Sequence, residues 1–127
     1  MLAYATVGAA DMAKSIDFYD AVLGPLGAVR FYTGDNSAGY RVGDEDQPVL
    51  WVMHPYDKQS ARCGNGIMVG FTAPSRAAVD EFHAAALSLG GSCEGKPGLR
   101  DYGPDIYIAY VRDPVGNKIS AICTVPA

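Results

Sequence analysis

Two stretches of the chain repeat apolar residues at helical spacing. Ile16, Tyr19, Leu23 and Leu26 stand at i, i+3, i+7 and i+10, and Val79, Phe82, Ala86 and Leu89 stand at the same intervals. Each set predicts one apolar stripe along an amphipathic helix. The stripes coincide at an offset of 63 residues, close to half of the 127-residue chain, which points to an internal repeat. Asp11 is the expected N-cap of the first helix, and Pro74-Ser75 precede the second. Gly27-Ala28 and Gly90-Gly91 are the expected stops, because glycine adopts the left-handed conformation that ends a helix. A short apolar run precedes each helix, at residues 4–8 and 67–71.

After each helix the pattern changes to short β-rich runs divided by turn residues. In the first half these are residues 29–32, 39–42 and 49–53, separated by Gly34-Asp35-Asn36-Ser37 and Gly43-Asp44-Glu45-Asp46. In the second half a weak run around Ser92-Cys93-Glu94 is followed by strong runs at 106–111 and 118–123, with Asp113-Pro114-Val115-Gly116-Asn117 as the turn between them. The order is β-α-β-β-β written twice. It predicts one α+β domain over residues 1–127, built from a module of about 1–55 and a second of about 64–127, joined by a polar linker at 55–65. A helix covers one face of each small sheet, so the two sheets are expected to curl together into a shared trough suited to a ligand.

Composition narrows the function. Ten Lys and Arg against fourteen Asp and Glu leave a net charge of −4, without the positive field that phosphate backbones require, so no nucleic acid partner is expected. Cys63, Cys93 and Cys123 are an odd number with no C-x-x-C spacing, which fits reduced thiols in packing or surface roles. No apolar stretch reaches the roughly 18 residues of a membrane span, and the start of the chain has no signal-like pattern. A soluble, cytoplasmic protein without a membrane partner is expected. Gly64-x-Gly66 lacks the third glycine of a dinucleotide fingerprint and leads into a strand, and no nucleophile elbow, P-loop or His-Glu-x-x-His pair occurs.

The duplicated pattern, the segment from Ala5 to Ser15 with Phe18-Tyr19, and the closing Asp113-Pro114-Val115-Gly116-Asn117-Lys118-Ile119 resemble the vicinal oxygen chelate superfamily, the group of glyoxalase I, the bleomycin-resistance proteins and the extradiol dioxygenases. Gly64 to Phe71 is similar to the strand that opens the second module in glyoxalase-like members, and Gly98 to Tyr110 to a loop and strand of a small bacterial subgroup. The resemblance implies a divalent metal held by His and Glu on facing strands. In this sequence those positions carry Tyr4, Met68 and Ser120, and the strand with Trp51 offers no carboxylate or imidazole. Such residues make no site for zinc, nickel or magnesium. No metal and no cofactor are therefore expected, and metal-dependent lyase or dioxygenase activity is not expected either.

The expected role is binding of a small organic molecule in the trough without the family's metal. The alternative is a glyoxalase-like lyase, isomerase or dioxygenase with a metal-free or unconventional site. Tyr4, Met68 and Ser120, which the resemblance points into the cup, are the leading candidates for the ligand-binding wall. Trp51, Tyr107 and His54 join them, with Tyr32 and Tyr40 as further aromatic candidates. His54 stands at a strand end, near the mouth of the trough. Arg100 lies in a Gly- and Pro-rich loop expected to close over the trough and hold a carboxylate or phosphate. His83, beside Phe82 on the second helix, is expected to flank the buried stripe. The resemblance also implies a homodimer.

Overall fold

The computed structural model describes all 127 residues. The first module runs β1 (Ala5–Gly8), α1 (Met12–Leu23), β2 (Ala28–Thr33), β3 (Ser37–Val42) and β4 (Pro48–Met53). The second runs β5 (Val69–Thr72), α2 (Arg76–Ser88), β6 (Ser92–Leu99), β7 (Tyr107–Arg112) and β8 (Lys118–Cys123). Residues 54–68, between the modules, carry no helix or strand. No helix is long and apolar enough to cross a membrane.

The helix caps fix the repeat more finely than the apolar stripe does. The Asp11 carboxylate accepts the backbone N–H of Lys14, and the Ser75 hydroxyl accepts that of Ala78. These caps stand 64 residues apart, as do the starts of β1 and β5. At that offset the buried residues Ser15, Phe18, Tyr19 and Val22 of α1 fall on Val79, Phe82, His83 and Ala86 of α2. The expected offset of 63 is thus corrected to 64. Buried positions come in adjacent pairs on these helices, so a stripe alone tolerates a slip of one residue, whereas a cap marks a single residue.

Two elements end differently from expectation. The first helix was expected to run to Leu26, but α1 stops at Leu23 and the chain tightens into a 3-10 turn over Gly24–Leu26. Pro25 has no N–H to extend the α-helical ladder. Leu26 is still buried, and Gly27 closes the turn at φ 90°. The weak run at 92–94 grows into an eight-residue β6, with irregular pairing between Cys93 and Gly95 and again between Gly95 and Gly98. As an edge strand it accommodates Pro97, which cannot donate to a ladder.

The strands form two four-stranded sheets, ordered β1-β4-β3-β2 and β5-β8-β7-β6. In each, the first strand of the module pairs parallel to the last, and the remaining pairs are antiparallel. The fold is two βαβββ modules of α+β class, and the sheets are not closed, as a shared trough requires. Alternation sends Val7, Ala38, Tyr40, Leu50 and Val52 of the first sheet, and Ala109, Val111, Ile119, Ala121 and Cys123 of the second, into one core of 22 residues. The core also takes Phe18, Tyr19 and Val22 from α1 and Val79, Phe82 and Ala86 from α2, so the modules share it. The helices pack on one another as well as on the sheets.

The Asp113-to-Asn117 turn does more than reverse the chain. One Asp113 carboxylate oxygen accepts the backbone N–H groups of Val115, Gly116 and Asn117. The other accepts the Tyr19 hydroxyl at 2.6 Å and the Asn117 amide at 2.9 Å. The Asn117 amide also donates to the carbonyl of Gly8. A turn of the second module is thereby hydrogen bonded to β1 and α1 of the first.

Candidate functional site

The sheet faces turned away from the helices carry the side chains available to a ligand. On the first sheet, Trp51 of β4 stands in register with Thr6 of β1 and Gly39 of β3. A methyl group on Gly39 would lie 2.8 Å from the Trp51 indole and 3.0 Å from the Phe31 ring, so the missing side chain makes the cradle in which both rings sit. The pairing of β2 with β3 shifts between Arg30 and Tyr32. Both Phe31 and Tyr32 meet Trp51 edge-on, with ring centroids 5.6 and 5.8 Å away. The guanidinium of Arg41 lies 5.6 Å above the Phe31 ring, and its Nε is buried without a hydrogen-bond partner. Phe31 and Tyr32 remain 40% and 48% exposed. Large aromatic rings left on an open face are available for a ligand's apolar surface.

On the second sheet, Tyr110 of β7 pairs with Ser120 of β8. Arg100 lies 5.5 Å over the Tyr110 ring and is tied down by donating to the carbonyls of Lys96 and Leu99. Lys118 places its ammonium 5.4 Å from the same ring. Ser120 is buried, with its hydroxyl 3.1 Å from where a side chain on Gly70 would begin. Arg112 pairs with Glu94 and holds that carboxyl below the usual range.

The candidates named from the sequence are spread among these places. Tyr4, half exposed, lines an apolar cavity of about 290 Å³ with Leu23, Leu26, Val49 and Phe71. Met68 lines a separate cleft of about 570 Å³ beside Cys63, Arg112 and Lys118. His54 lines a third, of about 600 Å³, with Asn36, Lys58 and Ser60. Its Nδ1 lies 3.0 Å from the carbonyl of Ala9, which can only accept, so Nδ1 donates that hydrogen bond. Tyr4, Met68 and His54 are thus not brought to one pocket. Trp51 joins Tyr32, and Arg100 joins the strand pair that carries Ser120.

Tyr107 and Tyr40 correct the expectation that they line the trough. The Tyr107 hydroxyl donates to Asp80 of α2 at 2.7 Å, and Arg76 of α2 lies 5.3 Å over its ring. The hydrogen bond to Asp80, together with burial, raises its pKa. Tyr107 shares the inward face with Ala109 and Val111, as a strand period of two dictates. Tyr40 is fully buried and donates to Asp20 of α1 at 2.9 Å. Its phenol is pushed far up, first by burial and then by that hydrogen bond. His83, expected to flank the buried stripe, is part of it, and its Nε2 lies 3.2 Å from Cys93 Sγ. Phe31, Gly39, Arg41 and Tyr110 were not singled out from the sequence. The alternation Gly39-x-Arg41 carried a signal for two of them, while the shifted pairing at Phe31 left none.

The positions at which the family resemblance implies metal ligands present a phenol, a thioether and a hydroxyl, at Tyr4, Met68 and Ser120, and the strand with Trp51 adds no carboxylate or imidazole. Nowhere do three or more His, Cys, Asp or Glu side chains gather in a way that could hold a metal ion. This donor set does not fit the family's divalent metal.

The profile of the Glyoxalase/Bleomycin resistance protein/Dioxygenase superfamily matches residues 1–121. The chain belongs to this superfamily. Among solved structures of the superfamily it is similar to a glyoxalase/bleomycin resistance protein from Albidiferax ferrireducens T118, at 39% identity and a TM-score of 0.86, with 99% of each chain covered. A glyoxalase/bleomycin resistance protein/dioxygenase family enzyme from Burkholderia phytofirmans PsJN shares the fold at 17% identity and a TM-score of 0.72, over 97% of this chain and 98% of that one. A lactoylglutathione lyase from Agrobacterium tumefaciens does so at 22% identity and a TM-score of 0.63, over 94% and 91%. No curated protein matches the chain.

Proposed function

We propose that this member of the glyoxalase and bleomycin-resistance superfamily binds a small organic molecule on the open faces of its sheets, without the superfamily's metal. The observation that carries the reading is the cluster of Trp51, Phe31 and Tyr32 around Gly39, which leaves aromatic surface exposed on the side away from the helices. The residues at the ligand positions support the metal-free part, because none offers an imidazole or carboxylate. Ser120 and Arg100 offer polar groups on the second sheet, apart from the aromatic cluster of the first. Trp51 is the only tryptophan, so its fluorescence reports directly on this face. Titration with a library of small aromatic and organic-acid compounds is expected to give saturable quenching that is unchanged by EDTA, with the compound recovered intact. Stoichiometric metal in protein purified without chelator, together with binding lost on chelation, would overturn the metal-free reading. Conversion of a bound compound would replace binding by catalysis. We also propose a homodimer, as the resemblance implies; equilibrium sedimentation at twice the 13.4 kDa chain mass is the expected result.

A further inference from the structure

We infer that the ligand of the first sheet's open face is an arylalkyl carboxylate, with its ring against Trp51 and its carboxylate on Arg41. The inference rests on the proposed binding role of that face and adds the charge of its occupant. Three arginines are already neutralised: Arg30 pairs with Asp20, Arg76 with Asp105 and Arg112 with Glu94. Arg41 has no such partner, although the turn after β3 carries Asp44, Glu45 and Asp46. Its guanidinium is held over Phe31, the ring that itself packs against Trp51, so the cation and the aromatic cluster form one surface.

The state of that cation favours an anion. Arg41 Nε is shut away from solvent without an acceptor, which means the guanidinium has lost hydration on one side and gained no hydrogen bond for it. The charge is correspondingly less screened than that of a fully hydrated surface arginine. The two terminal nitrogens, which have no protein acceptor either, present the parallel N–H groups that match the two oxygens of a carboxylate. A ring attached through a short linker then reaches the Phe31 and Trp51 surfaces beside it. A neutral analogue gains only the stacking, and a cationic one meets Arg41 as a like charge. Because the whole chain carries a net charge of −4, the preference for an anion has to come from this local cation. It is therefore expected to weaken as salt is raised.

The test uses the intact protein and three probes of similar shape: phenylacetate, phenylacetamide and phenethylamine. Quenching of Trp51 is expected to be saturable with phenylacetate, and roughly tenfold weaker with phenylacetamide, as loss of a charge-assisted pair implies. Phenethylamine is expected to bind weakest. In Arg41→Gln, phenylacetate is expected to fall to the affinity of phenylacetamide, while phenylacetamide itself changes less than about twofold. The comparison of probes on the unaltered chain decides the matter even if that variant folds poorly. Equal affinity for all three probes, or an Arg41→Gln protein that keeps the preference for phenylacetate, overturns the carboxylate assignment and leaves the open face as a binding site. No quenching by any of the three at millimolar concentration overturns both.

Discussion

Gly39 has no side chain, and the indole of Trp51 occupies the space a methyl group would take. The atoms in the way belong to the outer edges of two rings on an open face, which can move. Gly39→Ala is therefore expected to change folding stability by less than about 1 kcal/mol, below the usual cost of overpacking a closed core. It is also expected to shift the Trp51 emission and weaken aromatic ligands, both read by fluorescence beside a thermal melt. Tyr19 presents the opposite case. Burial, with the Asp113 charge adding to it, pushes its phenol well above the ordinary range, so it stays a neutral donor to Asp113. Tyr19→Phe removes a buried hydrogen bond to a charged acceptor, and chemical denaturation is expected to show a loss of about 1.5–3 kcal/mol. The sequence placed Gly39 at the start of a β-rich run and Tyr19 on the apolar stripe of the first helix. It held no sign that Tyr19 reaches a turn 94 residues away.

Among the elements, α2 and the chain just after it carry the sharpest expectations. A methyl group on Gly91 would come within 2.6 Å of the Arg112 carbonyl oxygen and 2.7 Å of the Ala86 carbonyl oxygen. These are backbone atoms of β7 and α2, so neither gives way as a ring edge does. Gly91→Ala is expected to destabilise by about 2–3 kcal/mol, at the upper end of overpacking costs, as measured by denaturant midpoint. His83 on the same helix makes stability pH-dependent. Burial, and secondarily the charge of Lys96, lowers its pKa from 6.5, against a smaller opposing pull from Asp80. The folded state then binds fewer protons than the unfolded one below pH 6.5. The contribution is complete above that value and is lost as pH falls through the depressed folded value. His83→Gln is expected to flatten this part of a melting-temperature profile, and an unchanged slope would count against it. Periodicity marked where both helices lie. Only the caps fixed their register, and only Pro25 explains why α1 ends a turn early.

For the whole molecule, duplication set the two modules and tertiary contact joined them. The helices pack on each other, one core runs through both halves, and Asp113 with Asn117 links the second module to Tyr19 and Gly8 of the first. Tyr19→Phe is accordingly expected to lower the melting temperature of the whole chain in a single transition, because the modules share a core; two separate transitions in calorimetry would refute that coupling. The open faces follow from the same arrangement. With both helices drawn into a common core, each sheet turns its other side outward, and the aromatic cluster around Trp51 lies on that side.

The sequence by itself determined the fold class, the duplicated order of elements, the family resemblance and the loss of the metal-ligand residue types. These depend on local periodicity, turn chemistry and residue identity, all of which are carried along the chain. Tertiary structure decided which side chains share a face. Tyr107 and Tyr40 turn to the helices because each strand's phase is set by what its neighbours bury. Phe31 reaches Trp51 because the pairing of β2 shifts by a residue. Arg41 forms no ion pair and keeps its guanidinium over Phe31, whereas Asp20 and Glu94 reach Arg30 and Arg112. Pairings between distant segments create these facts, and no local pattern records them.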